Sequence, residues 1–177
     1  ENLSHLEYHY GARYATLLAG DMFGEYWLSE KGLKRSCSAI TVAGDDQTSA
    51  NDIVTEVLVI SKNAYAEWLE AGQIKHTEES EHANPQRTKA TELIAIEKCR
   101  MVLLRKSKEF REELDIELIR DVIERQPVVA QLPKTKIEAR AHTVTMREVV
   151  SDEIVYREGD PGDCLYIVLR GSVTVYP

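Results

Sequence analysis

Hydrophobic and polar residues alternate in several short stretches of the first 61 residues, and this period of two predicts β-strands. A separate helical period appears at residues 63–71, where Tyr65, Trp68 and Leu69 lie at steps of three and four. Between them, residues 43–52 are rich in Gly, Asp, Ser, Thr and Asn and predict a polar loop. The predicted strands cover residues 3–10, 14–18, 38–42 and 53–61, with turns at Gly11 and Gly20.

Residues 73–88 contain almost no apolar side chains, so they cannot bury enough surface to fold and are predicted to be a linker. Apolar residues at steps of three and four then predict a helix over residues 91–125, which ends before Pro127. Thr135 and Glu138 have the spacing of a capping box, which predicts a further short helix beginning at Thr135. The apolar positions of the long helix are Leu93, Ile96, Leu103, Leu104, Phe110, Leu114, Leu118 and Val122.

The last part of the chain returns to strand-like alternation around a turn that is rich in Gly and Asp. Leu165, Ile167 and Leu169 alternate as the buried face of a strand, and residues 173–176 alternate again. The segment 158–163 lacks the twelve-residue ligand spacing and the closing Glu of an EF-hand calcium loop. It therefore predicts a β-turn, with Gly162 and Gly171 expected to adopt positive φ.

Composition and charge argue against several classes of function. Thirty acidic and 22 basic residues give a formal charge of −8, which opposes binding to nucleic-acid phosphates or to an anionic membrane surface. Apolar runs stay far below the roughly 18–20 residues that span a bilayer. The three cysteines, Cys37, Cys99 and Cys164, form no CxxC pair, which argues against a zinc site or a disulfide framework and favours a reducing, cytoplasmic compartment.

Motifs of catalysis and of metal binding are missing from the sequence. There is no nucleophile elbow, Walker loop or pair of catalytic carboxylates, so the chain is predicted not to be an enzyme. His5 and His9 are four residues apart, but the alternation around them predicts a strand and no third ligand is nearby. We therefore expect no metal site and no cofactor.

Two segments resemble the cyclic-nucleotide-binding domain family. The first is Phe23-Gly24-Glu25 followed by Arg35, and the second runs from Glu158-Gly-Asp-Pro-Gly-Asp to Gly171-Ser-Val. The resemblance implies an α+β fold with antiparallel, jelly-roll-like β-rolls. In the family the second pattern precedes the first, so the reversed order here suggests a tandem. Residues 1–75 would be the C-terminal part of one domain, 76–113 a linker and helix, and 114–177 the helix and N-terminal part of a second.

The resemblance also implies a ligand, cAMP or cGMP, and a set of residues that contact it. Gly24 would let backbone N–H groups approach the phosphate, and a short helix beginning near Glu25 would point its positive end at the same anion. Arg35 would pair with a phosphate oxygen, and Glu25 would accept a hydrogen bond from the ribose 2′-hydroxyl. The implied ligand-binding residues are Phe23, Gly24, Glu25, Leu28, Arg35 and Ser36.

Departures from the family pattern leave two functions open. The spacing from Phe23 to Arg35 is longer than in regulatory subunits of cAMP-dependent protein kinase, and Trp27 stands where a small residue is usual. One function is a regulatory sensor that acts on a partner such as a kinase catalytic subunit. The other is a degenerate scaffold in an assembly such as a ciliary or flagellar axoneme. Because each roll is partial, we expect the isolated chain either to aggregate or to pair its two halves.

Overall fold

The computed structural model describes residues 2–25, 34–42, 54–71, 89–129, 132 and 134–177. The predicted loop at 43–52, the predicted linker at 73–88 and Leu28 lie outside these residues. The chain divides into two compact units, one formed by residues 1–58 and 147–177 and the other by residues 59–146. Among the described residues, no helix is both long and apolar enough to cross a membrane.

The first unit contains most of two antiparallel four-stranded sheets, so an α+β fold is confirmed. One sheet has the order β1-β8-β3-β6 and the other the order β2-β7-β4-β5. The described strands do not close into a barrel, and the jelly-roll-like identity of the fold stays a prediction. The strands are β1 (Ala15–Leu17), β2 (Met22–Phe23), β3 (Ser38–Thr41), β4 (Val54–Ser61), β5 (Thr145–Val150), β6 (Ile154–Tyr156), β7 (Cys164–Arg170) and β8 (Val173–Tyr176).

Strands from the two ends of the chain pair with each other. Ala15 of β1 lies opposite Val175 of β8, and Phe23 of β2 lies opposite Tyr166 of β7. Strand β3 pairs with both β6 and β8. Of the two outcomes expected for the chain, pairing of its halves is the one that the structure contains. The assignment of residues 1–75 and 114–177 to successive domains stays a prediction.

Strand β7 is buried on both faces, whereas the alternation predicts one buried face. Leu165, Ile167 and Leu169 are buried as expected, but Tyr166 and Val168 between them are buried as well. All four residues of β3 and of β8 are likewise buried. A strand covered on both faces selects a continuous apolar run rather than an alternating one, as the sequence of β7 shows.

The first element is a helix, and the prediction of a strand at residues 3–10 is wrong. Helix α1 covers Asn2–Tyr10 and ends at Gly11, whose amide donates to the carbonyl of Glu7 at 3.0 Å and whose φ is +84°. Leu6 and Tyr10, four residues apart, are half-buried, whereas Tyr8 is exposed. The aromatic residues suggested a strand, but Gly11 ends a helix as a left-handed C-terminal cap.

The second unit is mainly helical. Its helices are α2 (Lys62–Ala71), α3 (Lys89–Arg105), α4 (Glu113–Glu124) and α5 (Lys134–Ala141). Helix α2 agrees with the prediction, and α4 ends before Pro127 as expected. The predicted helix over residues 91–125 is instead two helices, separated by a 3-10 turn at Lys108–Phe110. No Gly or Pro marks this break, so the sequence carries no ordinary signal for it.

The buried faces of α3 and α4 differ from the predicted stripe. Leu93, Leu104, Phe110 and Leu114 are exposed, whereas Ile96 and Val122 are buried as expected. Apolar residues lie on more than one side of these helices, so a three- or four-residue step alone does not select the buried side. The residues that form the core of α3 and α4 are Ala95, Ile96, Cys99, Val102, Ile116, Ile119, Val122 and Ile123.

Helix α4 begins with a capping box that the sequence analysis placed elsewhere. The Asp115 carboxylate accepts a hydrogen bond from the Glu112 amide at 2.8 Å, and the Glu112 side chain accepts one from the Asp115 amide. Lys106 donates to the same Asp115 carboxylate at 2.7 Å. The short helix predicted at Thr135 is confirmed as α5, which begins at Lys134, so Thr135 lies inside the helix and does not cap it.

The pKa of Asp115 makes this cap sensitive to acid. The hydrogen bond from Lys106, followed by the one from the Glu112 amide, lowers the pKa of Asp115 below its ordinary value. A lowered folded-state pKa contributes stability above the unfolded value of about 3.9, and that contribution is lost as the pH falls through the folded value.

We therefore expect Asp115→Ala to lower the free energy of unfolding by about 1–2 kcal/mol at pH 7, because the amide of Glu112 and the ammonium of Lys106 both lose their acceptor. Urea unfolding at pH 7 and at low pH measures this loss. The difference from the wild type should begin to shrink below about pH 3.9, where the unfolded carboxyl becomes protonated, and should shrink further as the pH falls through the lower native pKa. Glu117→Ala, on an exposed side chain of the same helix, is the control. An equal loss in both variants, or a loss independent of pH, would contradict the assignment.

Candidate functional site

Arg35 is held by its backbone against the turn of the second sequence motif. Its amide donates to the carbonyl of Asp160 at 2.8 Å, and the amide of Gly159 donates to the carbonyl of Arg35 at 2.7 Å. The turn itself closes through the Asp160 amide and the Arg157 carbonyl, 3.1 Å apart. The two motifs that resemble the cyclic-nucleotide-binding family are therefore neighbours within the first unit.

The sequence predicts a β-turn within residues 158–163, and the structure has one at residues 157–160, although a different glycine has positive φ. Gly159 has a φ of +84°, and Gly162 has no positive φ, so the prediction for Gly162 is wrong. Gly159 is the third residue of the turn, the position that requires positive φ in a type II turn. The prediction for Gly171 is confirmed, with a φ of +82°.

The Arg35 side chain is buried and bridges two segments of backbone. Its Nη1 donates to the carbonyl of Gly24 at 2.8 Å, and its Nη2 donates to the carbonyl of Cys164. Gly24 has a φ of +88°, and a Cβ at this position would lie 2.6 Å from Nη1. Only glycine fits this turn while the guanidinium occupies its present place.

Three aromatic rings form one group, and two of them, those of Tyr156 and Tyr166, lie against the guanidinium. Phe23 stacks on Tyr166 with ring centroids 5.1 Å apart, and the Tyr156 ring lies 6.0 Å from each of them. The Arg35 Cζ lies 4.3 Å from the Tyr156 ring centroid, within the range of a cation–π contact. Because Tyr156 belongs to one sheet and Phe23 and Tyr166 to the other, this Arg35 cluster joins the two sheets of the first unit.

Three titratable groups beside Arg35, on Tyr156, Cys164 and Tyr166, stay neutral at physiological pH. Burial, together with the neighbouring Cys37, raises the pKa of Tyr156, whose hydroxyl lies 3.8 Å from the Cys37 sulfur. Burial and the nearby Asp163 raise the pKa of Cys164 to about 11, so this thiol is not an activated nucleophile. Burial likewise raises the pKa of Tyr166. None of these three groups supplies a negative charge for the guanidinium.

A carboxylate and unused donors complete the electrostatics of the cluster. Asp163 lies 3.8 Å from Nη2, but its side chain is 73% exposed, so water and salt weaken this pair. A guanidinium carries five N–H donors, and Arg35 Nε has no hydrogen-bond partner among the described residues. The arrangement can hold one more acceptor, and it also ties β2 to β7 through the two carbonyls.

The residues implied by the family resemblance are only partly brought together. Phe23, Gly24 and Arg35 meet in the cluster, and Glu25 is half-buried and close enough to Tyr156 to contribute to its raised pKa. Ser36 is exposed at the surface. The short helix expected near Glu25 falls on residues 26–33, which lie outside the described residues.

Sequence reasoning missed the second half of the cluster, Tyr156, Tyr166 and the Cys164 carbonyl. Cys164 and Tyr166 belong to the second motif and Tyr156 lies two residues before it, and this part of the chain was assigned to another domain and so given no ligand contacts. Tyrosines on either side of a Gly-rich turn were the available signal, since a buried arginine requires carbonyls and aromatic faces.

Two further observations bear on the chemistry of this chain. Among the side chains that the structure describes, no three His, Cys, Asp or Glu residues are grouped in a way that could hold a metal ion. The three cysteines are free thiols.

Comparison of the chain with protein-family models, curated proteins and solved structures gives no match.

Proposed function

We propose that this chain is part of a non-catalytic, cytoplasmic module that binds a cyclic nucleotide, cAMP or cGMP, at the Arg35 cluster. One observation carries the proposal: Arg35 is a buried guanidinium whose Nε–H has no partner among the described residues, beside a turn at Gly24 and the rings of Tyr156 and Tyr166. A phosphodiester supplies the acceptor and the negative charge, and a flat base suits an aromatic wall. Glu25, at the edge of the cluster, would accept a hydrogen bond from the ribose 2′-hydroxyl.

The proposed regulatory mechanism follows from the contacts that Arg35 already makes. A phosphate that drew the guanidinium away would weaken its bonds to the carbonyls of Gly24 and Cys164, which belong to different segments of the chain. Ligand binding would then shift an equilibrium between two arrangements of β2 and β7. A protein partner, such as a kinase catalytic subunit, would respond to that shift.

The burial of Arg35 also supports a second function. The Arg35 side chain has no exposed surface, and two of its N–H groups already donate to protein carbonyls. In this alternative the cluster is a fixed bridge between sheets, and the chain is a structural component of a large assembly such as a ciliary or flagellar axoneme. The two functions differ in whether the cluster exchanges protein carbonyls for a phosphate.

Calorimetric titration of the chain with cAMP, cGMP and acyclic AMP separates the two functions. If the cluster binds a cyclic nucleotide, Arg35→Lys should weaken binding by about 1.5–3 kcal/mol, because a lysine lacks the planar fork and holds a phosphate as a point charge. Arg157→Lys, on an exposed side chain of the adjoining turn, is the matched control. Absence of binding in a folded wild-type chain would favour the structural alternative.

The contribution of Glu25 can be isolated by a double comparison. Glu25→Ala should weaken binding of cAMP but leave binding of 2′-deoxy-cAMP unchanged, because the deoxy ligand already lacks the hydroxyl that Glu25 would accept from. If Glu25→Ala weakened both ligands equally, Glu25 would act on the shape of the turn rather than on the ribose.

A further inference from the structure

An open apolar groove of about 460 Å³ lies between α3 and α4 in the second unit. Its apolar lining comes from Ile94, Met101 and Val102 of α3 and from Leu118 of α4. Ile94 is 57% exposed, and Met101 and Leu118 are half-buried. A concave apolar surface between two helices has the shape that binds the apolar face of another helix.

The rim of the groove carries two cations that have no ionic partner among the described residues. Lys98 and Arg105 line the groove, are exposed, and make no ion pair with any residue in the described part of the chain. They are seven residues apart, so they lie two turns apart on the same side of α3 as Ile94 and Met101.

The other charges of the rim are already compensated. Glu97 pairs with Arg100 at 3.1 Å, and Asp115 pairs with Lys106 at 2.7 Å. The groove therefore presents an apolar floor and two positive charges that no described residue compensates, within a chain whose formal charge is −8. Because these two charges are positive, a partner surface that binds here should be negatively charged.

We propose that the groove binds an acidic amphipathic helix of a partner protein, with its apolar face on Ile94 and Met101 and two carboxylates opposite Lys98 and Arg105. The groove extends along α3 from Ile94 to Arg105, which is about 16 Å at 1.5 Å per residue. It therefore accommodates about three turns of a partner helix. The groove and the Arg35 cluster belong to different units of the chain.

Fluorescence anisotropy of a labelled 18-residue peptide tests this proposal on the full chain. The peptide carries Leu residues on one helical face and two Glu residues seven positions apart, and the reference peptide has Lys in place of both Glu. We expect the acidic peptide to bind more tightly than the basic one. Ile94→Ser should weaken binding of the acidic peptide about tenfold, because apolar burial is lost. Arg105→Glu should weaken it about fivefold or more, from the lost and reversed charge.

Matched controls keep the test specific to the groove. Leu93→Ser removes a similarly exposed apolar residue beside Ile94 but outside the groove, and Lys108→Glu reverses an exposed charge on the following 3-10 turn. Both should leave peptide affinity unchanged, and far-UV circular dichroism verifies folding of every variant. Equal binding of both peptides, or no effect of Ile94→Ser, would overturn the proposal. A concentration-dependent dimer in sedimentation that Ile94→Ser abolishes would instead assign the groove to a second copy.

Discussion

Arg35→Ala is expected to lower the free energy of unfolding by about 2–5 kcal/mol, because the carbonyls of Gly24 and Cys164 each lose a charged hydrogen-bond donor. The Tyr156 ring also loses its cation–π partner. Relief from burying the cation offsets part of this loss. Chemical denaturation of the wild type and the variant measures the difference directly.

Two further variants show whether the loss comes from the hydrogen bonds of the guanidinium. Arg35→Lys keeps the charge but cannot donate to both carbonyls in the same planar geometry, so its loss should be intermediate. Arg157→Ala removes an exposed arginine from the adjoining turn and should cost less than about 0.5 kcal/mol. A loss for Arg35→Ala as small as that of Arg157→Ala would show that the cluster does not join the sheets.

Gly171→Ala is expected to destabilise the protein by about 2–5 kcal/mol, the sum of a left-handed backbone and an overpacked contact. Gly171 has a φ of +82°, and a Cβ there would lie 2.6 Å from Thr55 Oγ1 and 3.0 Å from Thr55 Cα. The Cα belongs to the backbone of β4 and cannot rotate away. Thermal or urea unfolding of the variant measures the loss.

Gly159→Ala provides a matched comparison, because Gly159 has nearly the same φ, +84°, but no atom within 4 Å of the added Cβ. Its expected cost is the backbone term alone, about 1–2 kcal/mol. Combining Gly171→Ala with Thr55→Ala should recover only part of the loss, since the contact with the Thr55 Cα stays. Equal losses of stability for Gly171→Ala and Gly159→Ala would mean that the segment at Gly171 moves away from Thr55 of β4 at little cost in free energy.

Elements whose signals are local were predicted well. The run Val-Leu-Val-Ile lies within β4, and the aromatic residues after it lie in α2, close to the predicted bounds. The turn at residues 157–160 was also recognised from its Gly and Asp residues. In each of these cases, the residues that determine the backbone conformation are a few positions apart, so their pattern is visible in a short window.

The errors arise where a local pattern is compatible with more than one structure. The first residues alternate like a strand but form α1, and the helical pattern over residues 91–125 continues through a break that contains no Gly or Pro. The predicted apolar stripe includes Leu93 and Phe110, but both side chains are exposed, so the buried side of the helices was predicted wrongly. Burial depends on which neighbours a helix meets, and these are not given by its own periodicity.

The sequence by itself determined the α+β class, most of the strands and helices, and the turn at Gly24. Only the tertiary structure decided that β1 pairs with β8, that β2 pairs with β7, and that Arg35 meets Tyr156 and the Cys164 carbonyl. Periodicity records short-range preferences of the backbone and of burial. Pairing between residues more than 100 positions apart depends instead on complementary surfaces that outweigh the entropy of closing a long loop.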